Sequence, residues 1–187
     1  MNLPASGEII MGIDPGTQVM GYGVIRINGK KPEMVALGVV EINKFDDHYM
    51  KLKIIHDKVN SLIDQYHPTS IAIESPFFGK NIQSMLKLGR AQGAAIIAAM
   101  QHSLPLVEYA PRKIKLSITG NGSSSKEDVA RMLEYQLKIK IDEKFFDASD
   151  ALATAICHFY SQGAPGGEKT YKSWNDFLSK NPDKIKK

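Results

Sequence analysis

The sequence predicts an α/β domain built on a mixed five-stranded sheet with helices on both faces. Three predicted strands come first along the chain, and two further strands then alternate with helices. Strands joined by a tight hairpin are antiparallel, whereas strands separated by a helix are usually parallel, so this order favours a mixed sheet. The 187 residues suffice for one domain with a sizeable core.

The first three strands are predicted from apolar runs separated by turn residues. The first run, Ile9–Asp14, ends in a carboxylate and is followed by a Pro-Gly turn. The second run, Gly21–Ile27, is joined to the third, Met34–Ile42, by the hairpin signal Asn28-Gly29. The chain therefore opens with an antiparallel meander.

The remaining elements are predicted from helical periodicity, capping signals and two short apolar runs. The predicted helices are Asp47–Tyr66, Asn81–Gln101, one that begins at Pro111 and breaks at Gly120–Gly122, one that begins at a capping box of Ser124 and Glu127, and Asp147–Tyr160. The predicted strands between them are Ser70–Glu74 and Leu104–Tyr109. Residues 1–163 are thus expected to form the folded domain, and residues 164–187 a Lys-rich, flexible tail.

Composition narrows the class of protein. The chain has no apolar run of membrane-span length, no secretory signal at its start, and a single cysteine, Cys157. We therefore expect a cytoplasmic protein with no membrane partner. Positive charge concentrates between Pro111 and Lys140, where seven basic and three acidic residues give a net +4, equal to that of the whole chain. Such a stretch is typical either of a solvated helix face or of a surface that binds phosphate.

Four carboxylates stand where predicted elements begin or end. Asp14 and Glu74 each close a strand, and in open α/β sheets functional sites gather at such strand ends. Asp147 and Asp150 lie three residues apart at the start of the last helix, so they share one face. Carboxylates held close together repel one another unless a cation binds, and their oxygens suit Mg²⁺, with Mn²⁺ as the alternative.

These carboxylates also have ordinary structural explanations. An Asp before Pro-Gly, such as Asp14, often only forms a turn, and Asp147 could be only a helix N-cap. Glu74 is harder to explain in this way, because a Glu that closes an apolar run is seldom left unpaired. The spacing alone leaves both interpretations open and specifies no reaction.

Five motifs, in order along the chain, resemble those of RuvC Holliday junction resolvases. They are Gly12–Thr17 followed by Gly21–Ile25, Ala72–Glu74 before Phe77 and Lys80, Leu86–Gly93, the basic segment Arg112–Lys115 with Thr119–Gly122 and Lys126, and Asp147–Ala153. The chain departs from the family pattern at Pro76, in a short N-terminal extension and in the tail after Ala164.

The resemblance implies a ribonuclease H-like fold and a homodimer that nicks four-way DNA junctions symmetrically during recombination and repair. It implies that the catalytic, metal-binding acids are Asp14, Glu74, Asp147 and Asp150, with two divalent ions per site. The family varies between Asp and His at the position of Asp147. The DNA-binding residues that it implies are Phe77, Lys80, Arg112, Lys115 and Lys126. A branch-migration motor is the expected partner complex.

The sequence leaves alternatives open for the glycines of the long helix, for the two phenylalanines after Glu74 and for His158. Gly89 and Gly93 in the long helix allow a close backbone approach, either to the protein's own sheet or, as the resemblance implies, to a second subunit. Phe77 matches the family's wedge, which stacks on an unpaired base, whereas Phe78 is expected to cap the core. His158 is expected to pack or to face solvent and not to act as a nucleophile or base.

Two other classes of function compete with a junction nuclease. The segment Gly12–Thr17 also resembles the phosphate loop of the actin, Hsp70 and sugar kinase fold, but the chain is short and lacks a second such loop. A binding module that recognises junctions without cutting them is the other class, although all four acids are present. A related nuclease for another branched nucleic acid also fits the sequence.

Overall fold

The computed structural model describes residues 7–29, 31–76, 81–142 and 145–163, and of Phe146 and Asp147 it describes the backbone alone. The elements in these ranges are β1 (Ile9–Asp14), β2 (Val19–Asn28), β3 (Lys31–Glu41), α1 (His48–Tyr66), β4 (Ser70–Glu74), α2 (Ile82–Gln101), β5 (Leu106–Tyr109), α3 (Pro111–Thr119), α4 (Lys126–Leu137) and α5 (Phe146–Gly163). No helix within the described ranges is both long and apolar enough to cross a bilayer.

The five strands form one mixed sheet in the order β3-β2-β1-β4-β5. The pairs β1–β2 and β2–β3 are antiparallel, whereas β1–β4 and β4–β5 are parallel. At the predicted hairpin, Gly29 has a φ of 64°, a conformation that glycine adopts without steric cost. The predicted meander and mixed sheet are confirmed, and β1 is the central strand.

The helices begin and end close to the predicted positions, with one correction. Asp47 and Asn81 are the N-caps of α1 and α2. The capping box of α4, however, is formed by Ser125 and Asp128, whose backbone N–H groups and side chains bond reciprocally. The prediction of Ser124 with Glu127 was wrong by one residue, because the Ser124 hydroxyl instead lies 2.8 Å from that of Thr119.

Apolar layers cover both faces of the sheet. On one face, Ile13 and Ile73 pack with Ile55 of α1 and Ala95 of α2. On the other face, the core residues come from the sheet and from α3, α4 and α5, and they include Ile10, Ala72, Ile114, Leu133, Leu152 and Ile156. Helices on both faces are therefore confirmed, and α5 is the helix that lies closest to the central strands.

Two facing glycines allow α5 to lie directly against the sheet. Gly12 of β1 pairs with Gly23 of β2. A Cβ atom at Gly12 would lie 2.0 Å from the Ala151 carbonyl oxygen, and one at Gly23 would lie 2.6 Å from the Cα of Leu152. Real Cβ atoms do not approach backbone so closely. The missing side chains thus create a slot, which we call the glycine slot, that fixes the height of α5 above β1 and β2.

A candidate active site at the edge of the sheet

Two of the four predicted carboxylates lie side by side at one edge of the sheet. Asp14 ends β1 and Glu74 ends the neighbouring parallel strand β4, with Ile13 in register with Ile73. Side chains alternate between the faces of a strand. Because Ile13 and Ile73 pack toward α1 and α2, Asp14 and Glu74 are directed toward the face that α5 covers.

The glycine slot brings a third carboxylate to the same edge. Asp150 immediately precedes Ala151, whose carbonyl oxygen is the atom nearest the position of the absent Gly12 side chain. The Asp150 side chain is only 14% exposed. The negative charges of Asp14 and Asp150 both act on Glu74. Three carboxylates from two strands and one helix therefore form one cluster, which we call the acidic cluster.

The electrostatics of the acidic cluster disfavour three simultaneous charges. Burial, followed by the charges of Asp14 and Asp150, raises the pKa of Glu74 to about 8. The positive charges of Lys126 and Lys115 oppose this rise. At neutral pH, Glu74 is therefore largely protonated unless further positive charge arrives.

Two lysines border the acidic cluster. Lys126, the first residue of α4, places its Nζ 2.7 Å from Oδ2 of Asp150. Lys115 of α3 donates from Nζ to the Ser124 carbonyl oxygen at 2.7 Å, which fixes the α3–α4 connection. The structure thus places both predicted lysines beside the carboxylates. Arg112 lies one turn before Lys115, is exposed, and packs its Cγ against Gly122.

A small cavity opens beside Asp14 and Glu74. Its volume is about 160 Å³. The residues that line it are Asp14, Pro15, Glu74, Ser75, Pro76 and Leu88. Since a water molecule occupies about 30 Å³ of liquid, the space admits a small hydrated ion. Pro76, which the sequence analysis noted as unlike the family motif, forms part of the wall. Ser75 also lines the cavity, and the sequence analysis did not identify it although it directly follows Glu74.

The donor set of the acidic cluster fits a hard divalent cation. Carboxylate oxygens are the ligands that Mg²⁺ and Mn²⁺ prefer. A cation would relieve the repulsion by Asp14 and Asp150, which raises the pKa of Glu74 further than burial alone. Among the residues whose side chains are described, no three His, Cys, Asp or Glu groups already stand at ligand distance from one point. Asp150 instead contacts the Lys126 ammonium.

The other predicted site residues have varied outcomes. The backbone of Asp147 lies within α5, which begins at Phe146, so the alternative that Asp147 is the N-cap does not hold. Phe77, Phe78 and Lys80 lie outside the described residues, as does the tail from Ala164.

His158 is buried, and its Nδ1 lies 2.8 Å from the Tyr109 hydroxyl. Burial lowers the pKa of His158, which confirms that it packs.

The long helix α2 presents an apolar stripe to solvent. Its members recur at helical spacing and are Ile82, Leu86, Gly89, Gly93, Ile97 and Met100. Ile82 is 71% exposed and Ile97 is 57% exposed. A Cβ atom added at Gly89 or Gly93 would meet nothing within 4 Å. The alternative that these glycines pack on the protein's own sheet is therefore wrong.

Comparison with known proteins identifies relatives over almost the whole chain. The family model for the crossover junction endodeoxyribonuclease RuvC matches residues 10–158. The protein of that name from Bacteroides fragilis is 54% identical over 185 residues, which cover 98% of each chain. Its counterpart from Christiangramia forsetii is 52% identical over 181 residues, which cover 97% of this chain and 94% of the relative.

Comparison with solved structures also identifies RuvC proteins. Thermus thermophilus RuvC superposes with a TM-score of 0.73 and 31% identity, covering 82% of this chain and 95% of that chain. The same protein in complex with a Holliday junction substrate superposes with a TM-score of 0.75 and 30% identity, covering 83% of this chain and 95% of that one. The yeast mitochondrial Holliday junction resolvase Ydc2, at 15% identity and a TM-score of 0.61, shares the fold.

Proposed function

This chain belongs to the RuvC family of crossover junction endodeoxyribonucleases, and we propose that its acidic cluster cuts four-way DNA junctions. It is a nuclease with a ribonuclease H-like fold, which removes the kinase-fold alternative. The observation that carries the proposal is the convergence of Asp14, Glu74 and Asp150 at one sheet edge, where burial and mutual repulsion raise the pKa of Glu74 to about 8. Such an arrangement is costly for folding and is typical of a functional site.

We propose that the metal ligands are Asp14, Glu74, Asp147 and Asp150. Enzymes of this family use divalent metal, and we propose two Mg²⁺ ions per site, with Mn²⁺ as the alternative. Bound metal would activate the attacking water and stabilise the leaving oxygen. Asp14 ends the central strand, beside the strand that carries Glu74, and would be one of the residues that hold the metal. Glu74 has to lose its proton before both of its oxygens can serve as ligands.

We propose that Lys115 and Lys126 bind the phosphate groups of the DNA. Lys126 and Lys115 border the acidic cluster closely enough to oppose the rise in the pKa of Glu74. An ammonium group at this place can contact a phosphate oxygen and stabilise charge that develops on it. Arg112 extends the same basic surface by one turn of α3. Lys138 and Lys140 have no assigned role.

Two further DNA-contacting residues stay predictions. Phe77 and Lys80 follow Pro76 directly in the sequence, and Pro76 lines the cavity beside Glu74. Residues so close in sequence to Pro76 are near enough to the site to contact DNA bound there. We propose that Phe77 stacks on an unpaired base at the crossover and that Lys80 contacts the backbone.

A homodimer accounts for the apolar stripe on α2. Gly89 and Gly93 allow the backbones of two helices to approach, and the exposed Ile82 and Ile97 provide apolar surface to bury. Two-fold symmetry places two equivalent sites on one junction, so that opposing strands are nicked symmetrically. A branch-migration motor as partner and a cytoplasmic location stay predictions.

The Asp14→Asn variant tests the acidic cluster directly. The change keeps the size of the side chain and removes one charge and a preferred metal ligand. We expect nicking of a synthetic four-way junction with Mg²⁺ to fall about a thousandfold or more, equivalent to roughly 4 kcal/mol of activation free energy. Junction affinity measured by gel shift should persist, because it rests on Lys and Arg contacts with phosphate.

The matched control is Asp46→Asn, which changes an exposed loop carboxylate. It should nick as the unmodified protein does. Near-normal nicking by Asp14→Asn would remove the metal-site assignment. Failure of Asp14→Asn to fold would instead return Asp14 to the role of a turn-forming residue.

A further inference from the structure

Glu108 of β5 joins the active-site strand to the helix that carries the apolar stripe. Its Oε2 accepts a hydrogen bond from Nε2 of Gln92 at 2.9 Å and another from the Ser75 hydroxyl at 3.3 Å. Ser75 directly follows Glu74, and Gln92 directly precedes Gly93 of the apolar stripe. One carboxylate oxygen of β5 is thus bonded both to α2 and to the residue that follows β4, and we call these three residues the Glu108 clamp.

The backbone of Ser75 is also hydrogen-bonded to β5, the strand that carries Glu108. Its N–H donates to the Tyr109 carbonyl oxygen at 2.9 Å, and Glu74 is in register with Tyr109. The residue after Glu74 is therefore fixed twice, once by its main chain and once by its side chain. Because Ser75 also lines the cavity beside Asp14, any shift of Ser75 changes both the position of Glu74 and the wall of that cavity.

The α2 arm of the clamp is buried. Gln92 is only 8% exposed, and a buried amide is costly unless it is hydrogen-bonded. Its bond to a carboxylate is charge-assisted and so is stronger than a bond between neutral groups. A rotation or translation of α2 would therefore pull on Glu108 and, through it, on Ser75.

We propose that the Glu108 clamp positions Glu74 relative to α2, the helix that carries the apolar stripe. The inference rests on the proposed function, since it assigns Ser75, Gln92 and Glu108 as positioning residues for that same site. None of the three is proposed to touch the reacting atoms.

The test uses Ser75→Ala, Gln92→Leu and the double variant in the full-length protein. Each single change should lower the single-turnover nicking rate at saturating protein by about tenfold, whereas the junction dissociation constant should stay within about twofold. Because both arms act through Glu108, the double variant should be no slower than the slower single variant. Ser75→Thr retains the hydroxyl and should restore the rate.

Hydrogen exchange gives a readout that is independent of cleavage and of metal. In the Gln92→Leu protein, the Ser75 amide should exchange several-fold faster than in the unmodified protein, although Gln92 lies on another element. Glu33→Ala is the matched control, since Glu33 is also an exposed strand glutamate that accepts from an amide, Nδ2 of Asn28, at 3.1 Å. This control should leave the rate and the exchange unchanged.

Three results would overturn the clamp: additive rate losses in the double variant, a Ser75→Thr protein as slow as Ser75→Ala, or unchanged exchange at Ser75. A failure of the proposed function is separate from these. In that case, the unmodified protein would not nick junctions at all, and the exchange measurement would still decide whether the clamp exists.

Discussion

Two pairs of glycines in this molecule have opposite surroundings. Gly12 and Gly23 are buried under α5, and a Cβ atom at either would collide with helix backbone. Gly89 and Gly93 lie on the outer side of α2, where a Cβ atom would meet nothing within 4 Å. The first pair is explained completely by the fold of one chain, whereas the second is not.

The difference separates what the chain needs in order to fold from what it needs in order to assemble. A glycine in the middle of a helix or strand lowers stability by about 0.5–1 kcal/mol relative to alanine, so we look for a contact that compensates each pair. For Gly12 and Gly23 that contact is α5. For Gly89 and Gly93 we propose that it is a second copy of the chain.

The Gly12→Ala variant is expected to show the largest difference between the two pairs of glycines. We expect it to lower the free energy of unfolding by about 3 kcal/mol, because the new methyl group has to displace the backbone of α5. Gly93→Ala, made as the matched change, should leave the fold intact or stabilise it by about 0.5–1 kcal/mol at concentrations where the protein is monomeric. Urea titrations of both variants measure the difference. Equal effects would show that the two pairs do not differ.

The next largest effect is expected on assembly. Replacing both Gly89 and Gly93 with Leu should weaken dimerisation at least about a hundredfold, roughly 2.7 kcal/mol, since bulky side chains separate the helices. Nicking should fall together with the dimer, while the monomer stays folded. Sedimentation velocity over a concentration series gives the dimer constant. A double variant that remains dimeric and cuts normally would place the interface elsewhere.

A smaller effect is expected on the pH dependence of stability, through the charge of Glu74 in the acidic cluster beside the glycine slot. The folded-state pKa of Glu74, about 8, lies above its ordinary value of 4.5, so the folded state holds the proton more tightly than the unfolded state. The stability of the metal-free protein should therefore decrease as the pH rises from about 4.5 to about 8. Glu74→Gln should remove this decrease and be more stable by roughly 2 kcal/mol at pH 8.5, after allowance for solvent screening.

The measurement is a urea titration at pH 5 and at pH 8.5 in the presence of a chelator. At pH 5, where Glu74 stays protonated in the folded state, the two proteins should differ little. Glu33→Gln, a change of an exposed glutamate, serves as the control and should show no such pH dependence. If Glu74→Gln gains no stability at pH 8.5, burial and the charges of Asp14 and Asp150 do not raise the pKa of Glu74.

The smallest effect is expected from the tail, which lies outside the described residues. After Gly167 it carries six basic and three acidic residues. Truncation at Gly163 should leave nicking unchanged and make the logarithmic salt dependence of junction binding shallower by about one to three units. Binding measured over a range of salt concentrations tests this. Loss of folding would show instead that Trp174 and Phe177 dock on the domain.

The sequence predicted those features that depend on neighbours along the chain. The runs ending at Asp14 and Glu74, the Asn28-Gly29 hairpin and Pro111 at the first turn of α3 were all read from local patterns and are confirmed. Local reading failed where two patterns overlap: Ser124 and Ser125 each precede an acid by three residues, and only the contact of Ser124 with Thr119 decides between them.

Features that depend on pairing could not be predicted in this way. That Gly12 faces Gly23 follows from the register of β1 and β2, which a single sequence does not give. The contact between Lys126 and Asp150 requires α4 and α5 to be placed together. The Glu108 clamp joins residues that are far apart in the sequence, so no local sequence pattern predicts it.

The path of the chain through the site has a consequence for the order of folding. Asp14 belongs to the first strand, Glu74 to the fourth, and Asp150 to the last described helix, so almost the whole domain separates the first acid from the last. Domains emerge from the ribosome beginning at the N-terminus, so Asp150 arrives after the sheet residues. A nascent or partly unfolded chain therefore lacks the complete acidic cluster. With the proposed metal ligands, the nuclease becomes competent only when its last described helix packs against Gly12 and Gly23.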